Sequence, residues 1–151
     1  MLVMLFHSKC SHCHDQMDDL ADHLDAFGSV DLVFLTTEDT LPMQEMAGRW
    51  PCLATATNAM WGTVSAEDFD RDFGSRVTPG IYLFDSAGVL RHKTIGTVET
   101  SLLLTHLLDH QDDGSAVTRA PEPASLVDLF SDGPLLRAPG HAMAATGDAA
   151  V

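Results

Sequence analysis

Two cysteines and three histidines fall within eight residues, H-S-K-C-S-H-C-H, from His7 to His14. A Cys-x-x-Cys pair, here Cys10-Ser11-His12-Cys13, can close a disulfide within one helical turn, the first sulfur attacking and the second resolving. The same stretch offers a second chemistry. His7, Cys10, Cys13 and His14 are donors of the kind that hold copper or zinc, so a metal-binding, copper-chaperone-like module is the alternative to a redox dithiol. The third cysteine, Cys52, stands in R-W-P-C-L and is expected to be a buried small hydrophobe. Three cysteines are too few for a disulfide scaffold, whereas a close pair plus a single suits a redox or metal site.

What the pair can do depends on the elements that hold it. Residues 1–6, M-L-V-M-L-F, are apolar throughout and read as a buried strand. Residues 10–27 carry a helical period: Met17, Leu20, Leu24 and Phe27 recur at three- and four-residue steps, and Gly28 follows as a stop. The aspartates between them, Asp15, Asp18, Asp19, Asp22 and Asp25, read as a solvated face, because their spacing is not that of a cation loop. Residues 30–36 form a second buried strand, which gives β-α-β and parallel pairing. Cys10 then falls at a helix N-terminus, where free N–H groups and the helix dipole favour a thiolate. Cys13 falls one turn further in, shielded.

The rest of the chain completes an α/β pattern. Residues 42–50 read as a short helix with Pro42 at its start, and 51–64 give no clear signal. Ser65 to Asp68 reads as a capping box that opens a helix to about Phe73, ended by Gly74. Residues 81–84, the turn D-S-A-G and residues 89–95 read as a hairpin. Residues 99–110 read as a last helix, apolar at Leu102, Leu103, Leu107 and Leu108. From about 112 the composition shifts to Q-D-D-G-S, A-P-E-P-A-S and small residues. Residues 1–111 are therefore expected to be one domain and 112–151 a linker and mostly flexible tail. Within that tail S-L-V-D-L-F, 125–130, can form one helical turn against the domain.

The chain has 151 residues and a net charge of -14, with 22 acidic and 8 basic side chains. Such a surface repels phosphates and anionic lipid, so no nucleic-acid or membrane partner is expected. No run is long and apolar enough to span a bilayer. The opening six residues lack a basic n-region and do not read as a signal peptide. The expected location is cytoplasmic, or periplasmic or otherwise extracytoplasmic if an export segment precedes this chain.

K-C-S-H-C-H, the strand order and V-T-P-G-I-Y-L-F-D-S-A-G-V-L at 77–90 together resemble the thioredoxin superfamily over about residues 1–110, most of all its TlpA/ResA-like branch. The resemblance implies a three-layer α/β/α sandwich with a mixed central sheet. It implies a thiol–disulfide oxidoreductase, expected to be a monomer, that acts on protein dithiols or disulfides and needs no dissociable cofactor. Cys10 would be the nucleophile and Cys13 the resolving thiol. Pro79 would be cis and lie against them, with Thr78 offering backbone groups to the partner. His12 stands where DsbA-like oxidases carry a histidine, which favours the thiolate and an oxidising disulfide. Two positions depart from thioredoxins. Lys9 replaces the usual aromatic residue and adds a positive charge beside Cys10. The strand at 1–6 lacks the buried acid, which leaves His7, His12 and His14 as candidate proton carriers. Sco-type copper-delivery proteins share the fold but separate their cysteines by three residues. They also use a histidine late in the chain, for which His92 is the nearest counterpart here. The spacing thus favours the redox pair. His23, His106 and His110 read as surface or packing residues, and Trp50 and Trp61 as core.

Overall fold

β1 (Leu2–Phe6) is buried along its whole length, as a central strand covered on both faces must be. The computed structural model describes residues 1–109 and 135–137. β1 pairs in parallel with β2 (Leu32–Thr36) and antiparallel with β4 (Gly80–Phe84). β2 pairs in parallel with β3 (Ala59–Thr63), and β4 forms a hairpin with β5 (Leu90–Ile95). A three-residue strand, β6 (Leu135–Arg137), lies antiparallel to β3, so the sheet order is β5-β4-β1-β2-β3-β6. This is the expected mixed sheet, with helices on both faces. β6 lies inside the stretch expected to be tail. His110 and the turn expected at 125–130 lie outside the described residues.

Successive residues of β1 point to opposite faces, and each face has its own core. Leu2, Met4 and Phe6 meet α1 (Ser11–Asp22), α2 (Thr40–Arg49), α3 (Pro51–Thr55) and α5 (Thr100–Asp109). Val3 and Leu5 meet Phe69 and Phe73 of α4 (Ala66–Phe73), together with Tyr82. α4 begins as its capping box requires: Ser65 Oγ accepts the Asp68 N–H at 3.0 Å, and Gly74 closes the helix at φ 73°.

Several elements differ from the sequence reading for local reasons. The helix expected over 10–27 ends at Asp22 and continues as a 3-10 turn, Leu24–Phe27, which swings Phe27 into the core. α2 starts at Thr40, so Pro42 sits in its first turn, where the missing N–H has no helical partner to lose. The uninterpreted stretch 51–64 holds α3 and β3. α3 buries Leu53, and Cys52 is exposed rather than buried as expected. Leu102 and Leu108 of α5 are exposed, while Leu103 and Leu107 are in the core. Among the described residues no helix is long and apolar enough to cross a membrane.

Trp61 ties the larger core together. It is fully buried, stacked on Phe34 at a centroid distance of 4.5 Å and edge-on to Phe6 at 5.6 Å. Trp61→Ala is expected to cost about 3–5 kcal/mol of unfolding free energy, measured by urea denaturation.

Candidate active site

β1 ends at Phe6, and the next four residues carry the chain over the end of the sheet into α1. Cys10 is the N-cap of that helix, in extended conformation, and its Sγ accepts the Cys13 N–H at 3.3 Å. The expected position at a helix N-terminus is thus realised with the sulfur itself as the cap. Cys13 is fully buried within the core, and Cys10 is partly exposed. Both are free thiols. From the other side of the sheet end, the Cys10 thiol donates to the Thr78 carbonyl at 3.6 Å. The Thr78–Pro79 peptide bond is cis and Pro79 is buried. Gly80 follows because a Cβ there would come within 3.1 Å of the Val77 carbonyl and 3.2 Å of the Tyr82 ring and hydroxyl.

The two thiols are electrostatically unequal. Burial pushes the Cys10 thiol up. Hydrogen bonds from the Cys13 and Thr78 side chains and from the Cys13 and His12 backbone outweigh that and hold it below its ordinary 9.0. Burial, and the hydrogen bond shared with Cys10, push Cys13 up to about 12. The first thiol is placed to ionise and the second to keep its proton.

The histidines are placed apart from one another. His12 points outward, its side chain 74% exposed and Nδ1 3.7 Å from Asp15, so its contribution to Cys10 comes through its amide. His7 lies on Glu38 at 3.5 Å, and its Nδ1 accepts the Lys9 N–H at 3.2 Å. His14 Nε2 lies 2.9 Å from the Ser8 carbonyl, which makes it the donor and leaves Nδ1 to face Arg49 at 3.4 Å. Among the described residues, no three His, Cys, Asp or Glu side chains are grouped as metal ligands. The set His7, Cys10, Cys13 and His14 is therefore not assembled around one point. His92 is on β5, stacked on His106 at 4.0 Å.

Glu38 was not foreseen. Its carboxylate accepts the Ser8 N–H at 2.5 Å, the Ser8 hydroxyl at 2.7 Å and the Thr36 hydroxyl at 3.3 Å. Burial pushes this carboxyl up, but the bonds from Ser8, the nearby His7 and the bond from Thr36 hold it below its ordinary 4.5. It is an ionised anchor for the loop that leads into Cys10. The parallel register, which pairs Phe6 with Thr36, brings the two segments together. Two of the aspartates expected to be merely solvated also hold the site in place. Asp18 accepts the Trp50 indole N–H at 2.7 Å, and Asp19 accepts the Thr100 amide and hydroxyl at 2.8 and 2.6 Å. Trp50 in turn packs on His14 at 5.5 Å.

Comparison with solved structures identifies the architecture. A thioredoxin-like superfamily protein matches with a TM-score of 0.60 at 20% identity, over 78% of this chain and 81% of that one. StoA from Bacillus subtilis matches with a TM-score of 0.53 at 17% identity, over 70% and 79%. The dsbF of MTB, solved in mixed oxidized and reduced forms, matches with a TM-score of 0.56 at 15% identity, over 72% and 78%. No protein-family model and no curated protein matches the sequence. The chain has the thioredoxin fold that its sequence resembles.

Glu38 generates a pH-dependent prediction. Its folded-state pKa is depressed, so its stabilisation is present above the ordinary carboxylate value and is lost as pH falls through the folded value. Glu38→Ala is expected to destabilise by about 1–3 kcal/mol at pH 7. The gap between variant and wild type should close as pH falls below about 4, followed by thermal denaturation across pH.

Proposed function

We propose that this thioredoxin-fold chain is a thiol–disulfide oxidoreductase of the TlpA/ResA-like kind, exchanging a Cys10–Cys13 disulfide with protein partners. The observation that carries the reading is the inequality of the two thiols at the first turn of α1. Cys10 is partly exposed and held toward its thiolate, while Cys13 is buried and held protonated.

The reaction follows from that inequality. The Cys10 thiolate attacks a partner disulfide, forming a Cys10–partner disulfide and releasing one partner thiolate. Cys10 then no longer bonds to Cys13, which removes one of the two main causes that raise the Cys13 pKa. Cys13 loses its proton to the released partner thiolate and attacks Cys10. The second partner sulfur leaves, and two electrons have passed from this chain to the partner. Run backwards, the same steps oxidise a partner dithiol. In this reading Thr78 and Pro79 receive the partner backbone beside Cys10, as an added strand segment would be received. His12 contributes to Cys10 through its amide. The missing acid on β1 leaves proton delivery to the solvent-facing thiols and histidines.

Equilibration in glutathione buffers, read by alkylation and intact mass, tests the reading. One two-electron couple is expected, abolished by Cys10→Ser or Cys13→Ser, with Cys52 alkylated at every poise. Stabilising the thiolate stabilises the dithiol form. The potential is therefore expected to lie above the roughly −270 mV of thioredoxin, toward the roughly −120 mV of DsbA. Failure of any Cys10–Cys13 disulfide to form would overturn it.

A further inference from the structure

Acidic side chains outnumber Lys and Arg by 22 to 8 in this chain, so an exposed cation has many carboxylates to choose from. Three of the six Lys and Arg within residues 1–109 have chosen one. Arg71 pairs with Asp68 and Asp72, Arg76 with Asp70 and Arg91 with Asp85, at distances between 2.7 and 3.0 Å. Lys93 donates to the Phe73 carbonyl at 2.9 Å and lies over the Tyr82 ring. Lys9 and Arg49 have neither a carboxylate nor a backbone carbonyl as partner among the described residues.

These two cations flank the dithiol. Lys9 is exposed and immediately precedes Cys10. Arg49 is exposed at the end of α2, with Nη1 3.2 Å from the imidazole of His14, the residue after Cys13. Glu45, one turn before Arg49 on α2, makes no ion pair with it, and three other nearby carboxylates are engaged. Glu38 is on Ser8 and His7, Asp15 on His12, and Asp18 on the Trp50 indole. The main forces that lower Cys10 are hydrogen bonds from Cys13, Thr78 and His12. Among the described residues, two of the cations without a carboxylate partner, Lys9 and Arg49, thus stand next to the Cys10–His14 segment.

We propose that Lys9 and Arg49 are specificity determinants that receive carboxylates next to the reactive disulfide of the partner. This rests on the reading that Cys10 exchanges with protein partners. The net charge of -14 opposes an acidic partner at long range. That field is screened beyond about 8 Å at physiological salt, while contact pairs at the rim survive in part. The two cations therefore select at contact rather than steer the approach.

The test uses two peptides, each with one cysteine activated as a neutral 2-thiopyridyl disulfide, flanked in one by glutamates and in the other by lysines. Attack by Cys10 forms the Cys10–peptide disulfide and releases one 2-thiopyridone, read by absorbance. The protein is the full chain with Cys52→Ser, at an ionic strength of about 0.15 M. The acidic peptide is expected to react about tenfold faster than the basic one, two exposed pairs contributing about threefold each. In the Lys9→Gln/Arg49→Gln variant that ratio is expected to fall to one or below. A change in the Cys10 thiolate would move both rates together and leave the ratio where it was. A wild-type ratio of one or less, or a ratio unmoved in the double variant, would overturn the proposal while leaving the exchange reading intact. No reaction of Cys10 with either peptide would overturn both.

Discussion

The site depends on one interaction, the sharing of hydrogen bonds between Cys10 and the first turn of α1. Cys10 takes the place that serine or aspartate fills at most helix starts, so its sulfur receives N–H groups that would otherwise lack a partner. A thiolate gains more from those donors than a thiol does. The donors are fixed by the helix, and the helix is fixed by the burial of Cys13, Met17 and Leu20 against β1. Packing three residues downstream therefore sets the reactivity of the exposed sulfur. The same packing removes Cys13 from water and keeps its proton in place.

The surroundings hold that turn from three directions. Glu38, past the end of β2, grips the Ser8 amide and hydroxyl and so fixes the loop before Cys10. Thr78, just before β4, brings a carbonyl to the Cys10 thiol. On the far side of α1, Gln16 accepts the Val98 N–H and Asp19 takes Thr100, tying the helix to the connection between β5 and α5. All three supports lie at or near one end of the sheet, where β1 and β2, running in parallel, both finish. This end is where an α/β sheet gathers the segments that carry chemistry.

Much of this was legible in the sequence, and the rest was hidden for identifiable reasons. Residues 1–6 and 32–35 are continuous apolar runs of strand length on either side of a helical period, so β1, α1 and β2 could be read directly. Ser65 and Gly74 marked α4 by their capping chemistry. β3 was missed because Ala59-Met60-Trp61-Gly62-Thr63 has small residues and no clean alternation; its burial comes from neighbours that a single segment does not reveal. Glu38 was missed because it lies thirty residues from Ser8, and only the parallel register brings them together. An acid two residues beyond a strand that pairs with the motif strand is the signal that could have found it. The identity of His12 pointed to its imidazole, but the helix start aims that ring at Asp15 and solvent. Cys52 beside Trp50 and Pro51 suggested burial, yet the short helix α3 turns Leu53 inward instead.

The most direct test of the unequal dithiol is the pH dependence of alkylation of the reduced protein by iodoacetamide, resolved by mass for each cysteine. The account predicts that Cys10 reacts with a midpoint below the 9.0 of an ordinary thiol, and that Cys13 stays unmodified beyond that pH. A Cys10 midpoint at or above 9.0, or modification of Cys13 in step with Cys10, would contradict it.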